Sequence, residues 1–196
     1  MGLSLITPPT AEPITLSEAR AQCSVDGTIH DAMLATYILA ARQWAEAYTH
    51  KTLMTQTWDY TIDYCWPVVW AGGYWSHAIE LPLPPLQSVT SINYIDENGA
   101  TQLLASNQYV VIKDKPAGLI VRAYGVSWPA VRHQVAAITV RMVCGFGTNP
   151  GDTPDDVRTS MLLHVEMLFD RDPNTRETLE QTRDSLISGN QSVRIS

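Results

Sequence analysis

The spacing of apolar residues along this chain changes twice, and that change constrains the fold more than any other feature. Over residues 29–49, Met33, Leu34, Tyr37, Ile38, Ala41, Trp44, Ala45 and Tyr48 recur at intervals of three and four. This spacing places side chains on one face of a helix, with Arg42, Gln43 and Glu46 expected on the other side. In TWDYTIDY the period becomes two. Trp58, Tyr60, Ile62 and Tyr64 alternate with Thr57, Asp59, Thr61 and Asp63, the pattern of a half-buried strand. Further strands are predicted at 88–95, 101–104, 108–112, 118–123 and 135–144. The last carries Ala136, Ile138, Val140, Met142 and Cys144 on one face. Gly145, Gly147, Pro150, Gly151 and Pro154 then break the sheet, and helical spacing returns with Val157, Met161, Leu162, Val165, Leu168 and Phe169 over 154–170.

Local signals supply the punctuation. Pro8, Pro9 and Pro13 block helix in an extended arm over 1–14, and Thr15-Leu16-Ser17-Glu18 is a capping box that starts a short helix at 15–23. Asn98-Gly99 offers the left-handed residues of a tight hairpin, and Lys115-Pro116-Ala117-Gly118 marks another turn. A more polar helix is predicted at 174–188, ended by Gly189 and Asn190. Helices therefore flank a β-region. The expected class is α+β: a small helical bundle with an antiparallel β-domain inserted between the second and third helices. The expected parts are 1–52 (arm and two helices), 53–147 (inserted β-domain) and 148–196 (C-terminal helices and tail), with the helical parts packing as one domain.

Composition excludes several function classes. The net charge of −7 over 196 residues argues against a protein whose main work is gripping phosphates. No apolar run is long enough for a membrane span, and MGLSLITPP does not read as a signal peptide. Cys23, Cys65 and Cys144 are odd in number and far apart, so they read as free thiols in a reducing compartment. His30, His50, His77, His133 and His164 are scattered singly, which predicts no metal site. Asp152, Asp155 and Asp156 read as helix-start carboxylates rather than metal ligands. Cys65, His77 and Asp63 could form a nucleophilic group, but nothing in their spacing requires one. No catalytic residue, cofactor or metal is expected, and the chain does not read as an enzyme.

What remains are surfaces. CWPVVWAGGYWSH, residues 65–77, is too apolar for an ordinary loop. Its aromatics either cap the sheet or form a protein interface, with Trp66, Trp70, Tyr74 and Trp75 as the candidate contacts. Pro82 and Pro85 match P-x-x-P, yet strand signals flank them, and they read as sheet punctuation. From Gly151 onward nine acids face five bases, a net −4. Such a face is either plainly solvated or, in a ring around DNA, keeps the duplex from sticking.

The ordered set ITPPTAEPITLSEARAQCSVDG, ILAARQWAEAYTHKTLMTQTWDY, IELPLPPLQSVTSINYIDENG, YGVSWPAVR, ITVRMVCGFG and PDDVRTSMLLHVEMLFDRD resembles the head–tail connector (adaptor) proteins of tailed bacteriophages and phage-like particles. The resemblance spans residues 5–172. It implies a virion neck protein that forms a closed head-to-tail ring of about twelve copies under the portal vertex. Such a ring extends the DNA channel without reading sequence and docks the next neck, stopper or tail protein. It also implies residence in the host cytoplasm during assembly, and a C-terminal segment that reaches the portal, here through Val193 and Ile195. Residues 173–196 depart most from the family pattern. The competing readings are a receptor- or carbohydrate-binding β-module, which leaves the amphipathic helices unexplained, and a DNA-packaging accessory, which would call for a basic patch.

Overall fold

The computed structural model describes residues 1–67, 69–71, 74–76, 78–113, 118–170 and 172–191. The elements run β1 (Gly2–Thr7), α1 (Leu16–Gln22), α2 (Asp31–Thr49), β2 (Gln56–Ile62), β3 (Val69–Ala71), β4 (Tyr74–Ser76), β5 (Ala78–Glu80), β6 (Leu86–Ile95), β7 (Thr101–Leu103), β8 (Tyr109–Ile112), β9 (Leu119–Arg122), β10 (Ile138–Cys144), α3 (Asp155–Phe169) and α4 (Pro173–Ser188). Helix and antiparallel sheet are segregated, so the class is α+β. The chain forms two compact units, one of residues 1–8 and 56–145, the other of 9–55 and 146–196.

The β unit is built on a five-stranded sheet in the order β1-β2-β10-β6-β7. Its central strand β10 pairs antiparallel with both β2 and β6. The period-two pattern decides which way it faces: Ile138, Val140, Met142 and Cys144 are fully buried while Arg141 between them is exposed. Burying side chains of this size stabilises by about 1.5–3 kcal/mol each. They meet Ile62, Ile92 and Leu104, together with Ile79 and Ile120 from a second sheet ordered β5-β9-β8 and Leu81 just after β5.

Two local expectations change here. The arm expected over 1–14 is, over Gly2–Thr7, an edge strand running antiparallel to β2. The β6–β7 connection is the expected hairpin, but with one left-handed residue rather than the two that Asn98-Gly99 offered. Asp96 N–H donates to the Ala100 carbonyl, Gly99 N–H donates back to the Asp96 carbonyl, and only Gly99 has positive φ, at 88°. This is a three-residue loop with a left-handed glycine. The Asp96 carboxylate secures it by accepting from the N–H groups of Asn98 and Ala100 at 3.0 and 2.9 Å. Pro82, Pro84 and Pro85 fall in the link between β5 and β6, where Pro84 is buried.

In the helical unit, Leu34, Ile38, Ala41 and Ala45 of α2 are buried against Val157, Met161 and Val165 of α3, Ala19 of α1 and Ile187 of α4. Tyr37, Trp44 and Tyr48 flank that core as partly buried neighbours. The Thr15 capping box forms as expected, with Glu18 N–H donating to Thr15 Oγ1 and Thr15 N–H donating to Glu18 Oε2. Arg42 is a correction to the helical pattern. It is 8% exposed rather than solvent-facing, because its guanidinium donates to Glu12 at 2.7 Å and to Glu46 at 2.9 Å. A buried cation is tolerated when its N–H groups meet carboxylates in this way. The chain leaves this unit after Thr55 and re-enters at Phe146. The two crossing stretches lie side by side, with Phe146 N–H donating to Leu53 and Thr55 N–H donating to Gly147.

Candidate functional site

The aromatic segment divides. Trp66 is 7% exposed. Its indole stacks on Trp128 with centroids 4.5 Å apart and planes 11° apart, and its Nε1–H donates to the Pro129 carbonyl at 2.8 Å. For this residue the sheet-capping reading describes the geometry, because a satisfied donor and a covered ring leave little to offer a partner. Trp70 and Trp75 are paired across the β3–β4 hairpin, with Tyr74 opposite Ala71. The side chains of Trp70, Tyr74 and Trp75 lie outside the described part, as do Gly72 and Gly73. Val193 and Ile195 are also outside the described residues. Of the expected interface residues, only the Trp66 side chain falls within the described part.

Of the groups considered for chemistry, Asp63 has a structural role, and Cys65 is an exposed free thiol. Asp63 accepts from the Ala136 N–H at 2.8 Å and pairs with the chain's terminal ammonium. These bonds, the Ala136 N–H first, hold its carboxyl below the ordinary value. It is thus a brace at the end of β2 rather than an orienting acid. His77 lies outside the described residues. Burial pushes the Cys144 thiol up to about 12, which leaves it a poor nucleophile. Burial, and then the charge of Glu166, also raises Cys23.

The acidic residues near the start of α3 are held by local partners: Asp152 closes the turn before the helix, and Asp155 and Asp156 stand in its first turn. Asp152 accepts from the Asn149 N–H at 2.8 Å, and its carboxylate fills the space where a side chain at Gly147 would stand. Asp155 pairs with Arg158 at 3.3 Å, and Asp156 accepts from the Val157 N–H and from Asn190 of the α4 end. Among the described residues no group of three or more His, Cys, Asp or Glu could hold a metal ion. No described helix is long and apolar enough to cross a membrane.

Sequence reading missed a second aromatic centre, in the helical unit. The His164 imidazole stacks on Trp44 with centroids 4.6 Å apart and planes 12° apart. The Arg183 guanidinium lies 4.3 Å from a Trp44 ring centroid and bonds His164 Nδ1 at 2.9 Å. Burial, followed by the Arg183 charge, lowers His164 to about 4. The ring is therefore neutral near pH 7, and Nδ1 is the acceptor of the Arg183 N–H. Trp44 was legible as part of a stripe, but His164 and Arg183 reach it from two other helices. This centre locks α4 against α2 and α3.

Fold and geometry together define a class: a two-unit α+β protein with a β unit and a helical unit. Along 100% of this chain and 98% of theirs, it is similar to chains in the neck of an empty gene transfer agent (GTA) particle computed with C6 symmetry, at 19% identity and a TM-score of 0.78. The native GTA virion gives 19% and 0.77 over the same shares of both chains. The neck of the native particle computed with C12 symmetry gives 21% and 0.73, again over 100% and 98%. At these identities the likeness establishes the fold. No curated protein matches. The family model of phage gp6-like head-tail connector proteins matches residues 13–110, half of the chain, and the chain belongs to that family.

Proposed function

We propose that this protein is a structural component of a virion neck: a ring under the portal vertex that extends the DNA channel and docks the next neck, stopper or tail protein. The observation that carries the reading is the conjunction of family membership with a likeness to neck proteins along the whole chain. Symmetry of order six or twelve in the necks of the similar structures supports a closed ring, with twelve as the copy number we favour. We read the β unit as an insertion between α2 and α3, supported by the paired crossing stretches at Leu53–Thr55 and Phe146–Gly147. Its hairpin, bearing Trp70, Tyr74 and Trp75, is our candidate protein contact, while Trp66 belongs to the core of the β unit. Val193 and Ile195 are our candidate portal contact. The net charge of −7 suits a channel wall past which DNA slides, since acids make the local potential negative and repel phosphates.

Electron microscopy of particles from the producing strain, with an antibody against this chain, tests the reading. Label confined to one vertex between head and tail is the expected result. Label at fibre tips would move the assignment to receptor binding. Protein absent from particles and left in the cytoplasm would move it to an assembly accessory.

A further inference from the structure

β1 is an edge strand without the usual defences. All six residues, Gly2–Thr7, are exposed, and none is charged or proline. Leu3, Leu5 and Ile6 stand 44%, 44% and 43% exposed. Edge strands of proteins that stay monomeric are usually blunted by Lys, Pro, bulges or short length, because a row of free backbone N–H and C=O groups templates pairing with another chain. Here the only blunting feature is a register shift between Leu5 and Thr7. The strand is held firmly on its inner side. Met1 pairs with Asp63, Thr61 Oγ1 donates to the Gly2 carbonyl at 3.2 Å, and β1 keeps register with β2 from Gly2 to Leu5. It is an ordered template rather than a fraying terminus.

The same sheet ends on its far side in β7, Thr101–Leu103. That strand is also exposed throughout and uncharged, with Leu103 67% exposed. One sheet thus has two open, uncharged edges at its opposite ends. Head-to-tail association needs two different surfaces on each copy. Pairing of β1 with β1 would instead give a closed twofold dimer and leave every β7 open.

We infer that β1 of one copy takes up β7 of the next, so that the five-stranded sheet continues from copy to copy. This rests on the ring reading above and adds the surface that closes the ring. Backbone hydrogen bonds supply the attachment, and the leucines flanking the junction supply burial.

Two measurements test it on the full chain, assembled on portal or concentrated until it self-associates. Leu5→Lys and Leu103→Lys should each raise the concentration for half-assembly at least tenfold, with the melting temperature of the unassembled protein unchanged. Because both act on one junction, the double variant should be little worse than either single one. In a Cys65→Ser background, Ser4→Cys protein mixed with Gln102→Cys protein should give a bismaleimide-bridged dimer between the two kinds of copy. That measurement stands even if a lysine variant fails to fold. Rings that assemble normally with both lysines present, or bridges only between Ser4→Cys copies, would overturn the inference and leave the ring reading intact. Wild-type protein that forms no ring on portal would overturn both.

Discussion

Arg183→Met isolates what holds α4 to the rest of its unit. Arg183 is 7% exposed, lies over Trp44 and bonds His164 Nδ1. A desolvated guanidinium over an indole is worth about 2 kcal/mol, and the bond to the imidazole adds about 1 kcal/mol. Removing the arginine also relieves the cost of keeping a cation out of water, which works in the opposite direction. Its ion pair with Asp184, whose side chain is 47% exposed, contributes little. Methionine keeps much of the stem's volume, so the cavity term is small. The expected net loss is about 1–2 kcal/mol, measured by urea denaturation at pH 7. The second readout is the His164 titration by NMR. Burial is the first cause of its shift and Arg183 the second. In the variant the value should rise from about 4 yet remain below the ordinary 6.5. The sign follows from linkage: the unfolded chain takes up the proton first, so the contribution is complete above 6.5 and is lost as pH falls toward the folded value. The variant should narrow that window. An unchanged His164 titration would refute the contact, and a variant more stable than wild type would show that desolvation outweighs it.

Glu18→Gln keeps the capping-box geometry but removes the charge paired with Arg158. The Thr15 N–H is the first cause holding Glu18 below its ordinary 4.5, so its contribution is present above that pH and lost below it. The variant should be less stable by about 0.5–1.5 kcal/mol at pH 7 and show a flatter acid limb in thermal melts between pH 5 and 3. Gly147→Ala would put a Cβ 2.0 Å from an Asp152 carboxylate oxygen and displace that cap. A loss of about 1–3 kcal/mol in urea melts is expected, and a neutral result would mean the cap is dispensable. Met142→Ala empties a fully buried position of β10 and should cost about 2–5 kcal/mol by the same assay.

The sequence was informative where one element decides its own pattern. The α2 stripe, the alternation in β10, the Thr15 capping box and the strand over 88–95 depend on neighbours within a turn or a residue or two, and each forms close to its expected place. The short strands β3, β4 and β5 were not legible, because three residues carry no period. β1 was hidden for a related reason. Prolines close behind it suggested an arm, and its strand character comes from β2, which lies far away in sequence.

Sequence alone also indicated the kind of protein: two amphipathic helices, a β-region and a third helix in an order that resembles the connector family. Only the tertiary structure decided which polar side chains go inside. Arg42 is buried because Glu12, thirty residues earlier, is brought beside it by the fold. Arg183 is buried because α2 and α3 together present Trp44 and His164 to it. A side chain's own chemistry sets the cost of burying it, but the partners that offset that cost come from distant parts of the chain, and only folding brings them together.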